Sequence, residues 1–233
     1  MSRVKRFSPL VMLLLAITAA FALGLDDYVS FEQLERNRGW LLDFVDRHAF
    51  LAPLGFMLIY AIAIALSLPG GAILTIAGGF LFGIVAGTVY AVVAATLGAT
   101  VVFLIARTAL GDSLRQRAGP AVRRMEAGFR ENALNYLLFL RLIPAFPFWL
   151  VNLVPAFLGV PLGTYVVATA VGIIPGTLVF ASVGNGLGTV FETGGRPDLG
   201  IVFKPDIILP IIGLAVLAIL PVAYRKIKGR QPT

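Results

Sequence analysis

The sequence predicts an all-α integral membrane protein built as an inverted repeat. Three observations predict it. Several apolar runs are long enough to cross a bilayer, two of them are broken by Pro and Gly at matching places, and charge is divided unevenly between alternate loops. Each half is expected to hold a broken or re-entrant helical hairpin plus a spanning helix. Additional spanning helices are expected at the N and C termini.

The apolar runs come first. Of the 233 residues, 58% are hydrophobic and 13% charged, about half the charged fraction of a soluble domain. The mean hydropathy is +0.91. Val11–Leu25, Phe50–Leu68 and Ile84–Ala106 each approach or fall within the ~17–25 residues of a spanning helix. There are no cysteines, which excludes disulfides, thiol chemistry and Cys-ligated metals. The net charge of +7 lies beside apolar spans. It therefore reads as a topology signal rather than a nucleic-acid surface.

Met1–Leu25 has a basic start (Arg3, Lys5, Arg6) and an apolar stretch with a small-x-small sequence, Ala20-Phe21-Ala22. It resembles a signal peptide but is read as an uncleaved anchor. Asp26–His48 carries six acids and three arginines. Phe31, Leu34, Trp40, Leu41, Phe44 and Val45 recur there at helical spacing. This predicts an amphipathic interfacial helix anchored by Trp40.

Beyond it, Phe50–Phe82 is broken at Pro69-Gly70-Gly71, and Ile84–Ala106 reads as a clean span. Arg107–Asn132 is polar, with six arginines against three acids. Leu134–Leu158 is broken at Pro144-Ala145-Phe146-Pro147, and Pro161–Val183 is a span kinked near Pro175-Gly176. Gly184–Asp206 reads as a Gly-rich loop, Ile207–Tyr224 as the last span, and Arg225, Lys226, Lys228 and Arg230 as a basic tail. The organisation expected is an anchor and interfacial helix over 1–49 and a two-repeat domain over 50–188. The repeats are 50–106 and 134–188 about a cytoplasmic loop, 107–133. An outer loop, last span and tail follow over 189–233.

Charge sets the orientation. With both termini and the 107–132 segment in the cytoplasm, the inside holds thirteen Lys/Arg and three acids. The outside then holds five Lys/Arg and nine acids, a strong positive-inside bias. The first broken segment must then start and end outside, and the second must start and end inside. Leu134–Leu158 is too short for two crossings of ~30 Å at 1.5 Å per residue, so both are expected to be re-entrant or discontinuous. The halves also align: Phe80-Leu81-Phe82-Gly83-Ile84-Val85-Ala86-Gly87-Thr88 with Ala156-Phe157-Leu158-Gly159-Val160-Pro161-Leu162-Gly163-Thr164. Inverted repeats with interrupted helices are a transporter architecture.

Irregular backbone at membrane depth is tolerated only against protein or a water-filled cavity. The two breaks therefore mark either an interior polar site or a pair of proline kinks. Arg141 sits inside an apolar run three residues before Pro144. An intramembrane arginine is a functional hypothesis by default. No acid lies between Asp46 and Asp112, nor between Glu131 and Glu192. The partners left are freed carbonyls, water or an anion such as a lipid phosphate, which guanidinium binds in bidentate fashion. The other reading is an arginine that snorkels to the cytoplasmic face. Asn152 either hydrogen-bonds a headgroup or caps the returning half-helix, and the cap is the preferred reading. The substrate-contacting residues expected are Arg141, Asn152, Pro144, Pro147, Pro69, Gly70 and Gly71. Gly79, Gly83, Gly87, Ala91, Ala95 and Ala99 form a four-residue-spaced row suited to close helix packing. His48, the single histidine, has no metal-binding cluster around it. Walker A, HExxH and GxSxG signatures are missing, and neither enzyme activity nor a cofactor is expected.

Taken together these residues resemble the DedA superfamily, also called the VTT-domain or SNARE-associated Golgi protein family. In the first half the resemblance lies in Leu68-Pro69-Gly70-Gly71, Gly78-Gly79-Phe80-Leu81-Phe82-Gly83 and Phe103-x-x-x-Arg107. In the second it lies in Arg141-Leu142-Ile143-Pro144-x-x-Pro147, Asn152, Gly159 and Pro175-Gly176. It covers about Phe50 to Gly188. It implies two re-entrant helices in an inverted repeat and a role in moving lipids. Bacterial members are linked to undecaprenyl phosphate or phospholipid translocation and envelope homeostasis, eukaryotic ones to phospholipid scrambling. This chain departs from the bacterial branch, which carries acids in the first hairpin and a second arginine where Pro147 stands here. A passive scramblase, or a transporter of another lipid, is the expectation. The implied partners are membrane lipids with anionic phosphate headgroups, with a homo-oligomer as an option and no nucleic acid. The implied location is the bacterial inner membrane with both termini cytoplasmic. The competing reading is a non-catalytic scaffold that binds membrane partners through the basic loop. A lipid phosphatase lacks its acid, base and metal groups.

Overall fold

A computed structural model of the chain describes residues 11–12, 15–20, 22, 24, 30–68, 70–117, 132–143, 146, 148–192 and 199–228. Much of the expected anchor, residues 118–131 of the basic loop, residues 193–198 and the tail 229–233 lie outside the described residues. Every regular element among the described residues is helical. Residues 15–20, inside the expected first span, are helical.

The interfacial segment is two helices rather than one, α1 (Phe31–Arg36) and α2 (Arg38–Arg47), which break at Asn37. Ser30 caps α1 by accepting from the Gln33 N–H at 3.3 Å. The Asn37 amide donates to the Gln33 carbonyl at 2.8 Å and so ends the helix. Trp40, Phe44 and His48 stack at four-residue spacing along α2, and Trp40 is exposed.

The first broken segment is a helical hairpin. Helix α3 (Leu51–Ala65) ends at a turn in which Ser67 and Gly70 take positive φ, and the chain becomes helical again at Gly71. Helix α4 (Gly71–Arg117) is interrupted at Gly83, φ 78 and ψ 176, so residues 71–82 (α4a) and 84–117 (α4b) are separate rods. The ring of Phe56 meets that of Phe82, while Tyr60 reaches Gly71 and Thr75. These pairs place α3 and α4a antiparallel. A Cβ on Gly87 would meet the Gly78 carbonyl. In one continuous helix those residues would lie about 13 Å apart along the axis. The chain therefore doubles back at Gly83, and its positive φ is one that glycine adopts without a Cβ penalty. This corrects the expected row of small residues. Ala91, Ala95 and Ala99 form a buried seam on α4b, but Gly79 belongs to the other rod and Gly83 is the turn between the two.

The second half repeats the order. A helix over 132–142 (α5) leads to a break and then to α6 (Phe148–Phe157). Gly159, φ 71, comes next, and α7 (Leu162–Asn185) completes the half. Gly83 and Gly159, paired by the sequence alignment, are both turn glycines with positive φ. Helix α7 continues through Pro175. Gly184 and Asn185 belong to α7, and α8 (Leu187–Glu192) starts after a turn at Gly186. The stretch read as a Gly-rich loop is therefore helical over much of its start. Glycine serves there for close contact: a Cβ on Gly184 would collide with the Ile76 carbonyl, and one on Gly79 with the Ala181 carbonyl.

Helices α4b and α7 pack antiparallel. Ala99 and Phe103 meet Tyr165 at the start of α7, while Gly79, beside Gly87, meets Ala181 near its end. Their shared core holds Ala91, Ala94, Ala95, Ala99, Phe103, Tyr165 and Ala168. Small side chains let the backbones approach, which is how helices associate where lipid supplies no hydrophobic drive. A 3₁₀ turn (Leu199–Phe203) leads to α9 (Pro205–Lys228). Helix α9 buries one stripe, Ile211, Ala215 and Val222, and exposes Leu209, Leu217 and Leu220.

Among the described residues, three helical stretches are long and apolar enough to cross a membrane: Gly71–Thr108, Leu162–Asn185 and Pro205–Val222. Because the first reverses at Gly83, its span proper is 84–108, about 37 Å long. Helix α4b also runs past Ala106 as far as Arg117, so the start of the expected cytoplasmic loop is helical.

Candidate functional site

Described residues that flank the two breaks come together. Ser67, Leu68, Gly70 and Gly71 from the first hairpin and Arg141, Leu142 and Phe148 from the second line one cavity of about 660 Å³. Ala95 from α4b, Gly172, Pro175 and Gly176 from α7, and Ile211 from α9 also line it. Of the residues expected to contact substrate, Gly70, Gly71 and Arg141 are thus brought to one place. Asn152 does not line the cavity but touches Arg141. Pro69, Pro144 and Pro147 lie outside the described residues.

Arg141 is near the end of α5, where its backbone approaches closely because Gly172 of α7 lacks a Cβ. A side chain there would run into the Arg141 Cβ. Arg141 Nη2 donates to Asn152 Oδ1 at 2.8 Å, to Tyr165 Oη at 3.0 Å and to Thr169 Oγ1 at 3.0 Å. All three acceptors are neutral and fully buried. The Tyr165 hydroxyl in turn donates between the Ala99 carbonyl at 3.2 Å and Asn152 Oδ1 at 3.1 Å. Arg141 Nε, Arg141 Nη1 and Asn152 Nδ2 are buried without a partner among the described residues. The guanidinium also lies between two aromatic rings, Phe148 at 4.9 Å and Tyr165 at 5.5 Å.

This geometry revises two expectations. Asn152 lies within α6 and its side-chain oxygen serves Arg141 and Tyr165 rather than capping a helix. The Arg141 partners are side-chain oxygens, and two of them, Tyr165 and Thr169, were not singled out from the sequence. A signal for them exists, since Tyr165 and Thr169 are four apart on an otherwise apolar span and so share one helix face.

The accounting of donors and acceptors defines what the site can do. Nη2 has two hydrogens and three acceptors around it, so one acceptor is surplus. Nε, Nη1 and the Asn152 amide nitrogen keep N–H groups that no described residue accepts. The site is cationic and rich in donors, and its unpartnered nitrogens are buried at the wall of the cavity. A buried polar group without a partner is costly, and a group with several acceptor oxygens and negative charge would relieve it. Tip one is different. Thr75 Oγ1 donates to the Gly71 carbonyl at 2.8 Å, and the Tyr60 hydroxyl has its single proton between Thr75 Oγ1 at 2.8 Å and that carbonyl at 3.2 Å. That cluster satisfies itself.

A second cavity, about 590 Å³, lies between α1–α2 and the first hairpin. Its walls are mostly apolar, including Leu34, Leu41, Phe44, Phe56, Leu74 and Phe82, and Ser30, Gln33 and Asn37 also line it.

The VTT domain family matches residues 68–186, which runs from the first hairpin tip to the end of α7. Among similar proteins are a Transmembrane protein 41 homolog of Dictyostelium discoideum and Transmembrane protein 41B of Homo sapiens and of Danio rerio. The first is 35% identical over 97 residues, 42% of this chain and 27% of that protein. The human protein is 34% identical over 97 residues, 42% of this chain and 31% of that protein. The Danio rerio protein is 32% identical over 97 residues, 42% of this chain and 32% of that protein. The match spans less than a third of the length of these curated relatives. No solved structure matches the chain.

Proposed function

The chain belongs to the VTT-domain family of the DedA superfamily, and from that premise we propose that it moves lipids with an anionic phosphate headgroup across the bilayer. The observation that carries the reading is Arg141. It lines the cavity shared by residues flanking both breaks, with only neutral acceptors and two unpartnered nitrogens among the described residues. An ionised group taken out of water costs several kcal/mol unless a counter-charge and hydrogen bonds compensate it. A phosphate supplies both, and guanidinium is suited to it. Helices α4a and α6 both begin at the cavity, at Gly71 and Phe148. Half-helix amino termini facing a midplane site favour anions.

On this reading the two hairpins are re-entrant and the halves form an inverted repeat. Helix α3 has 15 residues and α6 has 10, about 22 and 15 Å, too short to cross ~30 Å of hydrocarbon. The antiparallel packing of α4b and α7 suits two halves of opposite topology. The charge distribution favours both termini in the cytoplasm of a bacterial inner membrane, with the chain acting as a carrier that makes and breaks no bonds. The sequence puts no acid in either hairpin. With no carboxylate to carry a proton through the cavity, passive scrambling is the mechanism that fits, in support of envelope or membrane homeostasis.

The test is lipid flip in proteoliposomes that contain only this protein and fluorescently tailed phospholipids. The wild type should equilibrate label between leaflets. Loss of a charge-assisted hydrogen bond, roughly 1.5–3 kcal/mol, should slow Arg141→Ala by about 10- to 150-fold while leaving the protein folded. Arg141→Lys keeps the charge without the fork and should retain partial activity. Full transport by Arg141→Ala at matched protein density would remove Arg141 from the mechanism.

A further inference from the structure

The two rings that flank Arg141 are not equivalent. Tyr165 is fixed: it is fully buried, stacks on Phe103 at 4.3 Å and is hydrogen-bonded to the Ala99 carbonyl. Phe148 is the first residue of α6, directly after the second break, and is 36% exposed. Its ring still approaches to 4.9 Å from the Arg141 Cζ. Arg141 lines the cavity, yet its Nε and Nη1 are buried and unpartnered. The guanidinium thus lies between an immobile aromatic wall and one mounted at the edge of a hairpin tip.

We propose that Phe148 is the gate of the anion subsite: its ring holds the phosphate's place on Arg141 when no lipid is bound and swings aside when a headgroup arrives. The inference rests on the headgroup reading of the cavity and adds the device that regulates it. An aromatic face partly compensates a desolvated cation. It keeps Arg141 tolerable in the membrane between transport events. It is a weaker partner than a phosphate, which adds full charge and directed hydrogen bonds. The exchange of ring for phosphate therefore runs forward when lipid is present and reverses when lipid leaves. Movement is cheap in two respects. Phe148 is at a helix end rather than in its middle, and Nη2 has a surplus acceptor to release as the guanidinium turns.

A gate of this kind has a signed consequence. A stronger placeholder must weaken anion binding, and a weaker one must strengthen it. The full-length protein in detergent can be titrated with dihexanoyl-phosphatidylglycerol by thermal shift, alongside transport of tail-labelled phosphatidylglycerol in proteoliposomes. Phe148→Leu keeps apolar bulk and removes the π face, so it should bind about 3- to 10-fold more tightly. Phe148→Trp has the better π face and should bind more weakly by a similar factor. Trifluorinated phenylalanine at position 148 keeps the shape while draining the ring of negative charge. It must follow Leu, and it guards against a variant that fails to pack. If Leu, Trp and the fluorinated ring all shift affinity in one direction, or none shifts it, Phe148 is packing and the gate is wrong. If the wild type neither binds this lipid nor moves it, the headgroup reading falls and the gate with it. Wild-type binding and transport that are indifferent to position 148 overturn the gate alone.

Discussion

The two hairpins share a scaffold and differ in chemistry. Each runs helix, break, short helix, positive-φ glycine, long helix. At the first tip Tyr60, Thr75 and the Gly71 carbonyl close a neutral network with every proton placed. At the second, Arg141 brings a charge that three neutral oxygens only partly satisfy. The difference teaches that repeat symmetry here belongs to the backbone, not to the polar groups. A protein built only for stability would not leave N–H groups buried and unpaired, since each such group costs stability. The first tip behaves as a structural corner, and the second holds an unmet demand that a ligand can answer.

The sharpest way to break this contrast is to meet the demand from within. Asn152→Asp is nearly isosteric and puts a carboxylate beside the Arg141 guanidinium. It removes the unpartnered amide nitrogen and supplies a counter-charge. The protein should become at least as heat-stable in detergent, and lipid flip should fall by more than ~10-fold, because the anion subsite is already filled. Transport at the wild-type rate together with raised stability would show that the unmet charge has no part in function. A smaller effect is expected at the backbone contact that joins the halves. In Gly184→Ala the new methyl would meet the Ile76 carbonyl, and neither backbone can give way easily. Overpacking of this sort costs typically ~1–3 kcal/mol. The thermal midpoint should drop, and transport should fall only in proportion to folded protein.

Much of this contrast was legible in the sequence. The Pro and Gly clusters mark both breaks because those residues disrupt helices in identifiable ways. Arg141 stands out because a lone charge in an apolar run is rare. Gly83 and Gly159 align in the sequence, and both take a positive φ. What stayed hidden depends on three-dimensional neighbours. Tyr165 and Thr169 follow Arg141 by 24 and 28 residues on another helix, a distance at which no local periodicity connects them. Asn152 was visible, but its role depends on which way α6 turns its face. The interruption of the small-residue row at Gly83 was hidden for a different reason. Four-residue spacing looks the same in one long helix as in two rods joined by a turn, and only the backbone φ separates them.

The smallest expected effect tests the quiet side of the comparison. Tyr60→Phe removes one hydroxyl from the first tip and leaves the ring contact with Phe56 in place. The Gly71 carbonyl keeps its better donor, Thr75 at 2.8 Å, so no buried acceptor is stranded. Thr75 loses a neighbour but still has an acceptor for its proton. The cost should therefore sit at the low end of a neutral hydrogen bond, about 0.5 kcal/mol. Lipid flip should stay within about twofold of the wild type, because Tyr60, Thr75 and the Gly71 carbonyl already partner one another. If Tyr60→Phe instead impairs flip as severely as Arg141→Ala while leaving the thermal midpoint unchanged, tip one is also a binding element. The asymmetry between the two hairpins would then be one of charge alone.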